Sequence, residues 1–374
     1  MSAEKKRYFP NLNGVRCIAA LLVVFHHIEQ AKHALNIPNI YDSAIIKHAG
    51  RLGVGLFFVL SGFLITYLLL DEKARFGNID AKKFYLRRVF RIWPIYFLMI
   101  LLSLFWFPHL ALLEYPGIDN TLQQYYPERL ALLLLVLPNY AFVLYDLPYW
   151  CAQAWSIGVE EQFYYLWPWL IKYPKRKILI LLLFLAATAL LLWIGIHFRG
   201  DIPVSEKLRI IGTFVGQFRI QTMALGGGCA WLVFHNKEKI LNILFRKDSQ
   251  LLVYTLLLVL FFSGLHFTGF LEVYALFFGF FVLNVSCNPD TIIHLENPVV
   301  KYIGKISYGL YLYHVAVLVL LMNLLERYFP TLEGSFYHII LYVFTVLLSV
   351  GVSALSFNYF EKPLLAYKDK RFGR

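Results

Sequence analysis

An arginine and a histidine lie eleven residues apart in the first apolar stretch of the chain, at Arg16 and His27. On a helix, eleven residues turn through about 1100°, within roughly 20° of three full turns, so both side chains share one face about 16 Å apart along the axis. A neutral imidazole can accept a proton near neutral pH, which suits a general base. His26 points about 80° away from Arg16, so His27 is the candidate base. The alternative is that both histidines only hydrogen-bond water or loops at the edge of this stretch.

Two adjacent carboxylates, Glu160 and Glu161, follow Trp-Ser-Ile-Gly-Val and precede Gln-Phe-Tyr-Tyr. Neighbouring side chains on a helix point about 100° apart, so these two are expected to serve different partners. One of them would orient a histidine and stabilise its charge, and Glu160 is expected to be the buried one. The alternative is that both lie wholly or partly in water at a helix N-terminus, where the helix dipole favours acids.

A basic segment from Lys82 to Arg91 leads into Ile-Trp-Pro-Ile-Tyr. Arg88 and Arg91 are spaced i, i+3 and lie on one helix face. Guanidinium groups bind phosphates through two parallel hydrogen bonds, so this pair suits a phosphorylated cofactor. The alternative is that the segment only sets membrane orientation and contacts anionic lipid headgroups.

Two further stretches place small or aromatic residues in apolar surroundings. Gly53-Val-Gly-Leu-Phe-Phe-Val-Leu-Ser-Gly62 brings small residues into an apolar helix, which usually indicates close helix packing. Tyr308 begins the run Tyr-Gly-Leu-Tyr-Leu-Tyr-His, and tyrosines at such a position often form a belt at the membrane interface. Taken alone, neither stretch indicates chemistry.

The amino-acid composition indicates the class of protein in which these candidate residues lie. Of 374 residues, 59% are hydrophobic and 16% are charged, whereas a soluble domain is about 45–50% apolar and about 25% charged. These values exclude a soluble domain and a disordered chain, and predict an all-α polytopic membrane protein. The net charge of +12 therefore indicates cytoplasmic loops rather than nucleic acid. The four cysteines have no zinc or redox spacing, and no metal is expected.

A membrane-spanning helix needs about 20 mostly apolar residues. Ten segments meet this need: 15–31, 53–70, 89–107, 155–171, 178–197, 211–234, 251–266, 269–286, 306–325 and 339–360. An eleventh apolar run, 130–145, is short and is broken at Pro138-Asn139. It is expected to be re-entrant or interfacial.

Charge sets the orientation of these spans. If 130–145 does not cross and the N-terminus is cytoplasmic, cytoplasmic segments hold 25 Lys and Arg residues and external segments hold 8. A crossing at 130–145 would invert everything after residue 172, against the positive-inside rule. We therefore expect ten spans with both termini cytoplasmic. No internal repeat or linker is visible, so residues 1–374 are predicted to form a single membrane-embedded domain, and no cleavable signal is expected.

Together these motifs resemble the acyltransferase-3 family of membrane acyltransferases, along nearly the whole chain. The resemblance rests on the order and spacing of six motifs: Asn-Gly-x-Arg followed by His27, Phe-Phe-Val-Leu-Ser-Gly-Phe-Leu-Ile, Arg-Arg-x-x-Arg-Ile-x-Pro-x-Tyr, Trp-Ser-x-x-x-Glu-Glu-Gln-Phe-Tyr-Tyr, Ser-Tyr-Gly-x-Tyr-Leu-x-His and Phe360-Glu361-Lys362-Pro363.

The resemblance implies an enzyme that takes an acyl group, usually acetyl, from cytoplasmic acyl-coenzyme A and transfers it to a carbohydrate hydroxyl. The acceptor would be an envelope or exported polysaccharide or its precursor. His27 and Arg16 carry over as the essential pair, and Glu160 as a further catalytic residue. Arg88 and Arg91 carry over as the donor-binding pair, joined by Tyr308. His27 would act as a general base or through an acyl-histidine relay.

The resemblance also implies a location in the cytoplasmic membrane, if the source is bacterial, with lipids and a carbohydrate acceptor as partners. Some family members carry a fused extracytoplasmic hydrolase-like domain, and this chain is expected to have none. It would then transfer directly or hand the acyl group to a separate acyl-accepting protein. The alternative function is a proton-coupled transporter of a sugar or glycolipid, which also uses intramembrane His, Glu and Arg. The missing repeat disfavours that alternative.

Overall fold

The structure is a computed structural model. It describes residues 8–115, 125–173, 202–265, 267, 269–332 and 334–372, together with the single positions 190, 197 and 200. Most of these described residues are helical, and they include no strand, so the predicted all-α class is confirmed for them.

Fifteen α-helices are described along these residues. Their bounds are α1 Leu12–Ala34, α2 Ala44–Phe76, α3 Ala81–Leu101, α4 Tyr126–Leu134, α5 Pro138–Tyr145, α6 Trp155–Lys172, α7 Val204–Gln217, α8 Ile220–Phe234, α9 Glu238–Leu244, α10 Lys247–Ser263, α11 Phe270–Cys287, α12 Pro298–Lys305, α13 Ser307–Tyr328, α14 Gly334–Ser356 and α15 Lys362–Phe372. Short π-helical segments continue α3 over Leu102–Trp106 and join α14 to α15 over Phe357–Glu361.

Six of the described helical segments are long and apolar enough to cross a bilayer. They are Leu12–Ala34, Ala44–Phe76, Ala81–His109, Phe270–Cys287, Ser307–Tyr328 and Gly334–Phe372. Each contains most or all of one predicted span, so the chain is a polytopic membrane protein, but the count of about ten spans is not confirmed.

The predicted span 211–234 is not one continuous helix in the structure. Helix α7 ends at Gln217 and α8 begins at Ile220. Phe218 interrupts the helix because its backbone is extended, with φ −72° and ψ 102°. Neither helix, at 14 and 15 residues, reaches the length of about 17–25 residues that a span needs.

Three other predicted membrane spans agree with the described helices to different extents. Helix α6 covers 155–171 but carries three charged residues, including Glu160 and Glu161, and it is not among the six apolar segments. Helix α10 covers 251–263 and stops where Gly264 turns left-handed, at φ 65°. The predicted span 178–197 lies almost entirely outside the described residues.

The broken run 130–145 forms the short helices α4 and α5. They are separated by a turn in which Val136 has φ 58°, and α5 begins at Pro138. At nine and eight residues, neither helix is long enough to span a bilayer.

The described chain forms two compact units, each made of two separate stretches. The first unit takes the described residues up to Leu68 together with Gln221–Ser307, and the second takes Leu69–Ile220 together with Tyr308 onwards. The prediction of a single membrane-embedded domain stays a prediction, and each unit is described here by itself.

Helices α2 and α8 pack backbone to backbone in the first unit. A methyl group placed on Gly62 would come within 1.8 Å of the Met223 carbonyl oxygen, and one on Gly226 within 1.9 Å of the Val59 carbonyl oxygen. Glycine is therefore the residue that allows this approach, as in small-residue interfaces between membrane helices. The close packing predicted from the stretch ending at Gly62 is confirmed.

Candidate functional site

In the first unit, Asn11 fixes the start of α1, the helix that carries Arg16 and His27. Asn11 has a left-handed backbone, at φ 63°, which asparagine tolerates better than most residues. Its side-chain Nδ2 donates to the Val285 carbonyl at 2.7 Å, and its Oδ1 accepts from the Leu295 backbone N–H at 2.6 Å. The Asn11 backbone N–H donates to Glu296 Oε1 at 2.6 Å.

The side chain of Arg16 is held within its own first turn. Its Nη1 donates to Asn13 Oδ1 at 2.8 Å, so the Asn-Gly-x-Arg motif forms a local contact. The Asn13 carbonyl in turn packs against Gly304 of α12, where an added methyl group would come within 1.7 Å. Arg16 itself is half-buried, which leaves part of its surface accessible.

Helix α1 is unbroken from Leu12 to Ala34, so the predicted alignment of Arg16 and His27 on one face follows from its regular geometry. The two neighbouring histidines differ in their surroundings. His26 is buried, its Nδ1 lies 2.8 Å from the Ile46 carbonyl oxygen, and a methyl group on Gly50 would come within 2.5 Å of its ring. His27 is half-buried. A packed ring with a fixed backbone partner suits a structural role, which leaves His27 as the better candidate base.

A buried ion pair lies one turn beyond the histidines, and the sequence analysis missed it. Glu29 and Lys32 are 0% and 3% exposed, and Glu29 Oε1 is 2.5 Å from Lys32 Nζ. Glu29 Oε2 accepts from the backbone N–H of Ile40 at 2.6 Å. The spacing i, i+3 of opposite charges in an otherwise apolar helix was the available signal. The pair ties the loop after α1 back onto the helix.

In the second unit, the predicted donor-binding arginines lie in the first half of α3. Arg91 is exposed and Arg88 is half-buried. The Arg88 guanidinium lies 5.6 Å from the Phe84 ring centre and 5.8 Å from the Tyr164 ring centre. Its Nε is buried and has no hydrogen-bond partner among the described residues. A desolvated guanidinium nitrogen beside an exposed arginine can bind an anion such as phosphate.

The two adjacent glutamates of α6 have different partners, as their angular separation predicts. Glu160 accepts from the Tyr164 hydroxyl at 3.1 Å, and Glu161 Oε2 accepts from Trp93 Nε1 at 3.4 Å. Glu161 Oε1 is buried without a hydrogen-bond partner among the described residues. Both residues are half-buried, so the prediction that Glu160 is the buried member of the pair is not confirmed.

Another face of α6 has a packing role. Gly158 and Gln162, spaced i, i+4, both contact Asn139 of α5. A methyl group on Gly158 would come within 2.4 Å of Asn139 Oδ1. The same oxygen accepts a hydrogen bond from Gln162 Nε2 at 3.2 Å. This contact fixes the rotation of α6 about its axis. It thereby sets the directions in which Glu160 and Glu161 point.

Tyr308 contacts α3, the helix that carries Arg88 and Arg91. Its hydroxyl donates to the Ile92 carbonyl at 2.8 Å, one residue beyond Arg91. Glu361, from the last motif of the sequence analysis, interacts electrostatically with Arg91. Glu361 is 9% exposed, and its Oε1 is buried without a partner among the described residues. Sequence analysis gave Glu361 no role, although it noted the Phe-Glu-Lys-Pro motif that contains this residue.

The predicted site residues therefore fall into two groups. Arg16 and His27 lie in the first unit, whereas Arg88, Arg91, Glu160 and Tyr308 lie in the second. Within the described residues no group of histidine, cysteine, aspartate and glutamate side chains could hold a metal ion.

A family model for an acyltransferase domain matches residues 9–355. The chain belongs to the acyltransferase-3 family. The matched region contains all six predicted site residues, and Glu361 lies just beyond it.

Named relatives agree with this membership. The chain is 27% identical over 403 residues to "Putative peptidoglycan O-acetyltransferase YrhL" of Bacillus subtilis (strain 168), covering 99% of this chain and 57% of that protein. It is also 27% identical over 383 residues to O-acetyltransferase OatA of Staphylococcus aureus (strain NCTC 8325 / PS 47), covering 96% of this chain and 57% of that protein. The chain thus spans a little over half the length of these relatives. No solved structure matches it.

Proposed function

We propose that this protein is a membrane O-acyltransferase that moves an acetyl group from acyl-coenzyme A to a hydroxyl of a carbohydrate. The observation that carries the proposal is the position of Arg16 and His27 on one continuous helix inside the region matched by the acyltransferase family. The names of the relatives support acetyl as the transferred group. The family membership gives no support to the transporter alternative.

In the proposed reaction, His27 removes the proton from the acceptor hydroxyl as that oxygen attacks the thioester carbonyl. The carbon–oxygen ester bond forms, the carbon–sulfur bond breaks, and the coenzyme A thiolate takes the proton from His27. A relay in which the His27 ring first accepts the acyl group balances equally well. Arg16, on the same face, is proposed as the second member of this essential pair, and Glu160 as the third catalytic residue.

The donor is proposed to bind the second unit at Arg88, Arg91 and Tyr308. The buried Nε of Arg88 without a partner among the described residues and the exposed Arg91 suit the phosphates of coenzyme A. The Tyr308 hydroxyl, bonded to the Ile92 carbonyl, would hold the neighbouring turn of α3 in place. The positive-inside distribution supports a cytoplasmic position for these arginines and for both termini.

We propose that the acceptor is an envelope polysaccharide or its precursor, reached from a bacterial cytoplasmic membrane. Peptidoglycan is one candidate, because it appears in the name of a relative. Lipids would surround the six apolar helices, and a separate acyl-accepting protein is the alternative to direct transfer.

The test is the O-acetyl content of surface polysaccharide in host cells that carry wild type, His27→Ala, His33→Ala or no gene. We expect acetyl esters with wild type and with His33→Ala, because His33 is an exposed residue of the same helix, and none with His27→Ala. Membrane levels of each variant are measured by immunoblot. Equal acetylation with wild type and His27→Ala would remove His27 from the mechanism, and no acetylation in any strain would remove the proposed function.

A further inference from the structure

The second unit contains a cleft that none of the predicted site residues lines. Helices α4, α5 and α7 border it, and its volume is about 320 Å³, near the lower end of the range of roughly 300–1,000 Å³ that small-molecule sites occupy. Two half-buried tyrosines, Tyr125 and Tyr145, line it, and their ring centres are 5.3 Å apart. Each tyrosine offers an apolar ring face and a polar hydroxyl.

Four charged side chains line the same cleft, two positive and two negative. Arg129 is 2% exposed, and its Nη2 donates to the Tyr145 carbonyl at 2.5 Å. Arg209 makes two hydrogen bonds to Glu206. Asp146 interacts electrostatically with both arginines. Two guanidinium groups facing two carboxylates leave no net charge, so the cleft disfavours a polyanion and offers donors and acceptors side by side.

The backbone around the cleft is strained. Among the described residues that are neither glycine nor asparagine, positive φ occurs at Tyr125, Val136 and Asp146, and the first and last of these line the cleft. Asp146 has φ 58° and ψ 167°, a region that is almost confined to glycine and costs on the order of 1–3 kcal/mol. Such strain is often stored where a protein holds side chains for a ligand.

We infer that this cleft binds a saccharide without net charge, with sugar rings against Tyr125 and Tyr145 and sugar hydroxyls bonded by Asp146, Arg209 and Glu206. It is then the subsite that holds the carbohydrate acceptor. Naming the ligand as the acceptor rests on the proposed function, whereas saccharide binding itself does not.

The first measurement is ligand binding by saturation-transfer NMR to the full chain in nanodiscs, without any acyl donor. The probes are a neutral tetrasaccharide, fully N-acetylated chitotetraose (called chitotetraose below), and tetragalacturonic acid, which has the same length and four carboxylates. We expect chitotetraose to bind wild type. Arg209→Gln and Asp146→Asn should bind about tenfold more weakly, because each loses a charged hydrogen-bonding group. Lys207→Gln, on the same helix but outside the cleft, should bind like wild type.

The second measurement separates this inference from the proposed function. If wild type transfers acetyl groups, Arg209→Gln and Asp146→Asn should raise the KM for the saccharide and leave the KM for the acyl donor unchanged. Cleft-dependent binding without any acetyl transfer would overturn the proposed function alone. Unchanged binding and unchanged KM in both variants, or tighter binding of tetragalacturonic acid than of chitotetraose, would overturn the inference about the cleft.

Discussion

One cluster of buried polar groups in each unit shows two different ways of treating buried charge. In the first unit, the buried Glu29 and Lys32 bond each other, and Glu29 also bonds the backbone of Ile40. In the second unit, Arg88 Nε, Glu161 Oε1 and Glu361 Oε1 are buried without hydrogen-bond partners among the described residues. An unsatisfied buried polar atom costs about 1–3 kcal/mol. In the first arrangement the opposite charges compensate each other, whereas the second is the kind of site that a bound ligand would complete.

The largest effect is expected from breaking the buried ion pair. Lys32→Ala leaves Glu29 as a buried charge without its counter-ion, and this should lower the free energy of unfolding by about 3–5 kcal/mol. Thermal unfolding in detergent measures the loss. The double variant Glu29→Leu/Lys32→Met removes both charges and should recover most of the stability. A single variant as stable as wild type would show that the pair contributes nothing.

A substitution that disturbs the close helix packing in the first unit should lower the stability nearly as much. Gly226→Ala brings a methyl group against the Val59 carbonyl and should destabilise the protein by about 1–3 kcal/mol, because two helices must separate. Gly228→Ala is the matched control on the same helix, since a methyl group there meets nothing within 4 Å. Equal unfolding temperatures for the two variants would contradict the packing.

The second unit should respond in binding rather than in stability. Arg91→Gln removes an exposed guanidinium and should raise the KM for acyl-coenzyme A about tenfold, since a charged hydrogen bond contributes roughly 1.5–3 kcal/mol. Its unfolding temperature should fall much less than that of Lys32→Ala, because Arg91 is exposed, although its charge acts on Glu361. Lys83→Gln, an exposed cation on the same helix, is the control. A change in stability with an unchanged KM would place Arg91 with the structural residues.

The smallest effect is a dependence on pH. Hydrogen bonds from Lys301 and from the Asn11 backbone lower the pKa of Glu296. A lowered pKa gives stability that is present above the unfolded pKa of about 4.3 and is lost as the pH falls through the folded value. The difference in unfolding temperature between wild type and Glu296→Gln should therefore shrink as the pH falls below about 4. A difference that stays constant there would contradict this.

The sequence predicts best what depends on apolar length and worst what depends on single backbone angles. Helix α1 could be predicted because a continuous apolar run indicates an unbroken helix. The helical period of 3.6 residues then places Arg16 and His27 on one face. The break at Phe218 could not be predicted. Phe218 lies in a mostly apolar segment, and nothing in the sequence indicates its extended backbone. The partners of Glu161 and Glu361 were also out of reach, because they come from helices distant in the sequence.

The anchor at Asn11 has a consequence for biosynthesis. The N-terminal end of α1 emerges from the ribosome well before its partners, because Asn11 bonds Val285 and Glu296, which are 274 and 285 residues further along the chain. These bonds form only after Val285 and Glu296 have been translated. The end of α1 that carries Arg16 is therefore among the last parts of the first unit to reach its final position, however early the helix itself forms.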